Sequence, residues 1–195
     1  MRRAVIALAV SFSALLGAAA PVGAASYDID PLTREPIVPY ESMLRPQATA
    51  MPRELVDAPG AFAAGTIVVS TSERRLYYIV GDGTAVRYAI GVGRPGFTWA
   101  GTRSVSMKRE WPDWTPPAQM LKRRPDLPRH MEGGLDNPLG ARAMYLSGSL
   151  FRIHGSNEPD SIGQAVSSGC IRMTNEDVVD LYDRVRVGAR VVVLR

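Results

Sequence analysis

The sequence predicts a mainly β domain, a β-sandwich or barrel-like fold with one principal helix close to the C-terminus. Two observations support this fold class. From residue 65 onward, short runs rich in β-branched and aromatic residues alternate with turns that contain glycine. One later segment repeats apolar residues at helical spacing instead. Many short strands with a single late helix are typical of a sheet that folds around its own core.

The first predicted strands include a hairpin. Residues 66–69 are all β-branched and predict a strand. Residues 76–80 and 85–90 flank a Gly-Asp-Gly turn, which is typical of two antiparallel strands joined by a short loop.

The middle of the chain predicts a second hairpin. Residues 103–108 alternate as a further strand, and residues 143–146 and 150–154 flank a Ser-Gly-Ser turn. Because side chains alternate along a strand, Arg152 and His154 are expected on the same face of the return strand.

The principal helix is predicted to begin after Thr174, which can act as its N-cap, with Asp177 three residues later as a weaker capping box. A strand over residues 191–194 follows it. The helix has one apolar face, formed at i, i+3, i+4 and i+7 spacing by Val178, Leu181, Tyr182 and Val185.

Three segments divide the chain. Residues 1–25 have the basic start, short apolar run and small-residue exit of a secretory signal, with cleavage expected after Ala25. An uncleaved membrane anchor is the alternative, for which the alanine-rich run is short. Residues 26–60 are rich in proline and predict an extended arm or linker, and residues 61–195 form the folded domain.

Composition excludes several classes of protein. The 195 residues are 46% hydrophobic and 22% charged, too apolar for a disordered chain, and one cysteine excludes a disulfide scaffold. Cleavage of the signal removes two arginines and lowers the formal net charge from +4 to +2, which argues against nucleic acid as the partner. No second long apolar run follows, so no transmembrane anchor is expected after processing.

For two motifs, a purely structural interpretation stands beside a functional one. Residues 91–96 match G-x-G-x-x-G, but no helical pattern follows and Pro95 lacks an N–H, so a turn between strands is predicted rather than a nucleotide site. The Trp- and Pro-rich residues 111–117 either line a substrate groove or form a loop pinned by buried indoles. His130 is expected to be exposed without a nearby partner. Two histidines and one cysteine would leave a zinc site dependent on distant carboxylates, so no metal or cofactor is expected.

The lone cysteine is the residue on which the function depends. In an exported protein Cys170 is either a buried inert thiol or a working nucleophile. His154 ends a strand and Cys170 directly precedes the helix, where catalytic groups are commonly displayed. A neighbouring imidazole would lower the thiol pKa from about 8.5. Both alternatives remain open on these grounds.

The residues around this pair resemble a known signature. His154-Gly155-Ser156-Asn157, followed at residues 167–173 by Ser-Ser-Gly-Cys-Ile-Arg-Met, is similar to the His-Gly and Ser-x-Gly-Cys-x-Arg pattern of the L,D-transpeptidase catalytic domain, the YkuD family. Asn-Pro-Leu-Gly at residues 137–140 and the Trp/Pro stretch also resemble that family. The resemblance covers about residues 65–194. Many members carry a second histidine where this chain has Ser168.

The resemblance implies the role of each residue. Cys170 would be the nucleophile and His154 its base, with the imidazole oriented by the Gly155 carbonyl. Arg172 would either grip a substrate carboxylate or brace the loop. The oxyanion and substrate would be held by the nucleophile loop, through Ser167, Ser168 and Gly169 together with the amide of the cysteine.

The resemblance also implies a reaction and a location. The substrate would be the tetrapeptide stem of peptidoglycan, cleaved between diaminopimelate and D-Ala through a thioester, with 3→3 cross-links formed in the periplasm or cell wall. Water or the amine of an outer-membrane lipoprotein could replace the second stem as acceptor. The alternative from another class is an exported, non-catalytic domain that binds peptidoglycan stems.

Overall fold

The structure, a computed structural model, describes residues 51–195 together with two short strands, β1 (Asp28–Ile29) and β2 (Pro36–Ile37). β1 and β2 pair with each other in antiparallel orientation. The predicted secretory signal, residues 1–25, and most of the predicted arm lie outside the described residues.

Residues 51–195 are built mainly from strands, with one principal helix, so the predicted fold class is confirmed. The helices are α1 (Ala118–Arg123), α2 (Asn175–Arg184) and a 3-10 turn at Pro159–Ser161. The strands are β3 (Glu54–Asp57), β4 (Ile67–Ser70), β5 (Arg75–Gly81), β6 (Thr84–Ala89), β7 (Val92–Gly93), β8 (Gly101–Glu110), β9 (Arg142–Leu146), β10 (Arg152–His154), β11 (Ala165–Ser167), β12 (Ile171–Arg172) and β13 (Arg190–Leu194).

Both predicted hairpins are confirmed, as β5–β6 and β9–β10. The strands expected at residues 66–69, 103–108 and 191–194 are β4, β8 and β13. α1 was not predicted, since six residues between prolines are too few to show a helical period. β3 lies at the end of the segment expected to be an arm, and it pairs with β6 at the edge of the sheet.

One mixed sheet contains most of these strands, in the order β12-β10-β9-β8-β13-β4-β5-β6-β3. β8 joins its two halves, because the first part of β8 pairs with β13 and the second part pairs with β9. The β8–β9 register shifts between Val105 and Met107, and such a bulge bends a strand and increases its twist. The two halves can therefore enclose one core.

That core takes side chains from both halves of the sheet and from α2. Its members lie on strands either side of β8 and on α2, and include Ile67, Leu76, Met144, Ile153, Ile171 and Leu181, each almost completely buried. A smaller cluster on the other face of β4–β6 packs against Phe62. Hydrophobic burial on this scale is the main favourable contribution to folding.

α2 forms where the sequence predicts it. The Thr174 side chain accepts a hydrogen bond from the Asp177 N–H at 3.1 Å, as expected of the N-cap, and Val178 and Leu181 are buried against the sheet. No helix in the described part of the chain is both long enough and apolar enough to cross a membrane.

Truncation of the buried face of α2 tests this packing. We expect Leu181→Ala to lower the free energy of unfolding by about 2–5 kcal/mol, because it removes apolar contacts and leaves a cavity. Leu55 on β3 is 68% exposed, so Leu55→Ala should change that free energy by no more than about 0.5 kcal/mol. Urea unfolding followed by circular dichroism measures both, and equal losses in the two variants would contradict this description of the core.

Candidate active site

Strand pairing places the cysteine and the histidine together. β10 and β12 run parallel, with Ile153 opposite Ile171 and His154 opposite Arg172. The two isoleucines belong to the core, so His154 belongs to the opposite face of β10. Cys170 directly precedes Ile171 and by the same alternation shares that face. His154 and Cys170 are therefore diagonal neighbours, because Cys170 lies two residues before Arg172, the register partner of His154.

The His154 imidazole is buried and has a defined orientation. Its Nδ1 lies 2.5 Å from the carbonyl oxygen of Gly155. A carbonyl oxygen can only accept a hydrogen bond, so Nδ1 carries the proton and the lone pair of the neutral ring is on Nε2. The resemblance to the family implies this same carbonyl as the group that orients the imidazole, and that role stays a prediction.

Burial keeps this imidazole neutral. It lowers the pKa of His154 from 6.5 to about 3, an effect opposed by the hydrogen bond to Gly155 and reinforced by the charges of Arg172 and Arg152. At neutral pH the ring therefore has an unprotonated Nε2, which is the state that a general base requires.

Cys170 is half-buried, and its sulfur lies 4.0 Å from the carbonyl oxygen of Leu150, to which the thiol can donate. Burial raises the pKa of Cys170, while hydrogen bonding and charge from Arg152 and the charge of Arg172 act against that increase. The expectation of a lowered thiol pKa is wrong for the resting site, because loss of hydration outweighs the nearby positive charges. The pair rests as a thiol and a neutral imidazole.

Ser167 and Gly169 shape the nucleophile loop. The Ser167 hydroxyl donates to the Cys170 carbonyl at 2.6 Å and accepts the Gly169 N–H at 3.1 Å. Gly169 has φ +111°, and a Cβ at this position would lie 2.5 Å from the Phe151 ring. The Gly169 amide is thus used inside the loop, which differs from its expected role as an oxyanion donor.

Two aromatic side chains that the sequence analysis did not single out support this loop. Trp99 donates from Nε1 to the Gly169 carbonyl at 2.8 Å. Its ring stacks on Phe151 with the centroids 4.8 Å apart and the planes within 3°. Trp99 and Phe151 are 52 positions apart in the printed sequence and meet only through the fold.

The glycine-rich residues 91–96 are only partly the turn that the sequence predicts. Val92–Gly93 form β7, which pairs with β11, and the turn lies at residues 94–96, with no helix directly after it. They also form a wall of the nucleophile loop. The Arg94 N–H donates to the Ser167 carbonyl at 3.0 Å, and its guanidinium donates to the Ser168 hydroxyl at 3.2 Å. A Cβ on Gly93 would lie 2.6 Å from the Phe97 carbonyl oxygen and 3.3 Å from the Gly169 Cα, so close backbone packing explains this glycine.

Arg172 braces the site. Its Nη1 lies 2.5 Å from Oε2 of Glu158. The Glu158 N–H in turn donates to the Ser156 hydroxyl at 2.9 Å. This ion pair joins β12 to the loop after His154, and a grip of Arg172 on a substrate carboxylate stays a prediction.

Asn175, a further residue missed in the sequence, connects α2 to the histidine segment. Its Oδ1 accepts the Ala141 N–H at 3.0 Å and the Ser156 N–H at 3.3 Å. A Cβ on Gly155 would lie 2.3 Å from this oxygen, so only glycine fits between the histidine and the helix. An asparagine at the start of a capped helix is common, and its long-range contacts leave no local signal.

The remaining candidate residues lie elsewhere. His130 is exposed as expected, but the prediction that it has no nearby partner is wrong, since its Nδ1 lies 3.3 Å from the Thr115 hydroxyl and 3.9 Å from Asp113. Trp114 is buried, which favours the pinned-loop interpretation of residues 111–117. Within the described residues, no group of three histidine, cysteine or acidic side chains could hold a metal ion.

Comparison with known proteins shows the family. The YkuD family, described as the L,D-transpeptidase catalytic domain, matches residues 64–193. "Probable L,D-transpeptidase ErfK/SrfK" of Escherichia coli strain K12 is 40% identical over 153 residues, which are 74% of this chain and 48% of that protein. "Probable L,D-transpeptidase YbiS" of the same strain is 37% identical over 149 residues, 72% of this chain and 47% of that protein.

A solved L,D-transpeptidase from Mycobacterium tuberculosis H37Rv shares the fold, with a TM-score of 0.54 at 19% identity over 68% of this chain and 58% of that one. The chain thus belongs to the YkuD family of L,D-transpeptidase catalytic domains. It spans about half the length of the curated relatives that it matches.

Substitution of Gly155 tests the close packing behind the imidazole. We expect Gly155→Ala to lower the free energy of unfolding by about 1–3 kcal/mol, because the added methyl group overlaps the Asn175 oxygen. Gly134 has no heavy atom within 4 Å of an added Cβ, so Gly134→Ala serves as the matched control and should change that free energy by less than about 0.5 kcal/mol. Urea unfolding measures both, and a harmless Gly155→Ala would contradict the packing.

The lowered pKa of His154 predicts a pH dependence of stability. Its folded value is about 3 and its ordinary value 6.5, so between these pH values the unfolded chain binds a proton that the folded chain does not. Stability from this group is intact above pH 6.5 and is lost as the pH falls towards 3. From about pH 7.5 to about pH 5, we expect it to lower the free energy of unfolding by about 2 kcal/mol.

Urea unfolding across this pH range provides the measurement. His154→Gln should lose this part of the pH dependence, whereas His130→Gln, which changes an exposed ring, should keep it. A difference between wild type and His154→Gln that does not vary with pH would show that His154 titrates normally in the folded protein.

Proposed function

We propose that the protein is a cysteine-dependent L,D-transpeptidase that acts on the tetrapeptide stems of peptidoglycan. The observation that carries the proposal is the placement of Cys170 beside the strand that holds His154, whose Nδ1 is bound to the Gly155 carbonyl and whose Nε2 is free of a proton. Membership of the YkuD family supports the same reaction class.

The first step is acylation of the enzyme. Nε2 of His154 takes the proton of the Cys170 thiol, and the thiolate attacks the carbonyl that joins the L-centre of diaminopimelate to the terminal D-Ala. The carbonyl becomes a tetrahedral oxyanion. The imidazolium then gives its proton to the departing amine, so that D-Ala leaves and a thioester remains on the sulfur.

The second step transfers the acyl group. An amine from a neighbouring stem loses a proton to Nε2 and attacks the thioester carbonyl, and the sulfur leaves as a thiolate that recovers the proton from the imidazolium. The product is a 3→3 cross-link. Every bond change is an acyl or proton transfer, so the reaction proceeds without a metal or cofactor.

Backbone amides of the nucleophile loop are the proposed oxyanion donors. Because the Gly169 N–H is bound to Ser167, we assign this role to the amides of Ser168 and Cys170. In comparable acyl transfers one such donor contributes about 3 kcal/mol to stabilisation of the transition state. Ser167 and Gly169 instead hold the loop in shape.

Three related proposals concern the acceptor, the location and the competing class. Water as acceptor would make the protein a carboxypeptidase, and a lipoprotein amine would make it an attachment enzyme. We propose export through residues 1–25, with the mature protein in the periplasm or cell wall. A purely peptidoglycan-binding domain would need neither a thiol nor an imidazole with a fixed tautomer.

Reaction with a carbapenem, an analogue of the acyl donor, tests the proposal directly. We expect intact mass spectrometry of the folded, reduced protein to show one covalent adduct, and Cys170→Ala to show none. A folded wild-type protein without an adduct would favour the binding domain. Release of D-Ala and the cross-linked product from purified tetrapeptide stems then identify the acceptor.

The proposed role of His154 as general base predicts how its removal changes the acylation rate. His154→Ala should acylate more slowly than wild type by about 10²–10⁴-fold, the usual contribution of a general base. His130→Ala is the matched control, since it removes the chain's other imidazole from an exposed loop, and should acylate at the wild-type rate. Stopped-flow or timed mass spectrometry measures the rates, and an unchanged rate in His154→Ala would exclude it as the base.

A further inference from the structure

We propose that Arg152 is the electrostatic partner of the nucleophile, and that its guanidinium stabilises negative charge on the Cys170 sulfur as the thiol ionises. The inference deepens the proposed function, since it rests on Cys170 being the nucleophile of that reaction. It assigns a role to a side chain outside the Cys-His pair and outside the Ser-x-Gly-Cys-x-Arg signature.

Strand register places Arg152 next to the sulfur. In the parallel β10–β12 pair, Ile153 lies opposite Ile171, so the residues that directly precede them, Arg152 on β10 and Cys170 just before β12, come close to each other. The side chains of both converge on one atom. Nη1 of Arg152 lies 3.4 Å from the Leu150 carbonyl oxygen, and Sγ of Cys170 lies 4.0 Å from the same oxygen.

The guanidinium is held in place but incompletely bonded. Its Cζ lies 4.9 Å from the centroid of the Tyr145 ring, a cation–π distance that restrains the side chain. Its Nε is buried and has no hydrogen-bond acceptor among the described residues. A buried donor without an acceptor is unfavourable, and negative charge on the adjacent sulfur would give this guanidinium an anionic partner.

The other charged groups around Cys170 are occupied differently. Arg172 on β12 is paired with Glu158, which offsets its charge. Arg94 on the glycine-rich turn donates to Ser168 and lies over the Phe97 ring at 4.0 Å. His154 is neutral at physiological pH. Within the described part of the chain no carboxylate forms an ion pair with the remaining guanidinium, that of Arg152.

The electrostatic direction agrees with this geometry. Hydrogen bonding and charge from Arg152 lower the pKa of Cys170, against the increase caused by burial. Arg152 is therefore suited to reduce the cost of ionising a thiol that burial otherwise keeps protonated. The same cation disfavours an imidazolium at His154.

The test is the pH dependence of Cys170 alkylation by iodoacetamide, an uncharged reagent that reacts with the thiolate. It is followed by intact mass on the full chain without peptidoglycan. We expect Arg152→Gln to move the midpoint upward by about one pH unit and to lower the rate at pH 7 by about tenfold, because a nearby positive charge has been removed. Arg152→Lys should retain most of the wild-type rate.

Arg103→Gln is the matched control. Arg103 also has a buried Nε without an acceptor among the described residues, and its Nη1 donates to a loop carbonyl, that of Ser147, at 2.9 Å. Its removal should leave the midpoint in place. Arg152→Met is a second neutral variant, whose apolar stem can still pack on Tyr145 if the glutamine variant fails to fold.

The inference is overturned if either neutral Arg152 variant, with a native circular dichroism spectrum, keeps the wild-type midpoint. It is also overturned if Arg103→Gln produces an equal shift, because the effect would then not be specific to Arg152. Alkylation requires no substrate, so absence of carbapenem acylation and D-Ala release in the wild-type protein would count against the proposed function alone.

Discussion

The hydrogen bond between Nδ1 of His154 and the carbonyl of Gly155 is the contact on which the site depends. It fixes the tautomer of the imidazole and leaves the basic nitrogen available for the cysteine. The carbonyl itself is held because the Gly155 N–H donates to the Arg142 carbonyl oxygen at 3.0 Å and because Asn175 leaves no space for a side chain at this glycine. The backbone hydrogen bond in the sheet and the packing of α2 therefore both help to orient the His154 imidazole.

Burial of Cys170 and His154 determines their charge in the resting site. It raises the pKa of the thiol and lowers the pKa of the imidazole, so both groups are uncharged before substrate arrives. In the reaction that we propose, charge separation is therefore made as the thiol gives up its proton, and the positive charge of Arg152 stabilises the thiolate. A protonated thiol is also a weak target for oxidation, which suits a lone cysteine in the exported protein that we propose.

The structural features that the sequence predicts are those with a local pattern of residues. The hairpins β5–β6 and β9–β10 follow from turn chemistry between strands, and α2 follows from its cap and its apolar spacing. The Cys170 and His154 pair was recognised because both lie within short motifs whose residue types and spacing are specific. The mainly β class then followed from the number of short strands and the single helical period.

The features that the sequence does not predict depend on contacts between segments that are distant along the chain. Trp99 and Phe151 support Gly169 only after β8 and β10 have paired with their neighbours, and Asn175 reaches Gly155 only when α2 packs on the sheet. The state of the thiol was predicted wrongly for the same reason, because residue types near Cys170 indicate charge but not burial. β3 was assigned to the arm because its pairing with β6 has no signature in its four residues.

Nitrogen NMR of the protein with ¹⁵N-labelled histidine reports directly which ring nitrogen of His154 carries the proton. At neutral pH we expect His154 to give the two well-separated shifts of a neutral ring protonated at Nδ1, and we expect this pattern to persist well below pH 6. A ring protonated at Nε2, or an imidazolium at pH 7, would contradict it, because neither state leaves a nitrogen that can take the proton of Cys170 in the observed orientation.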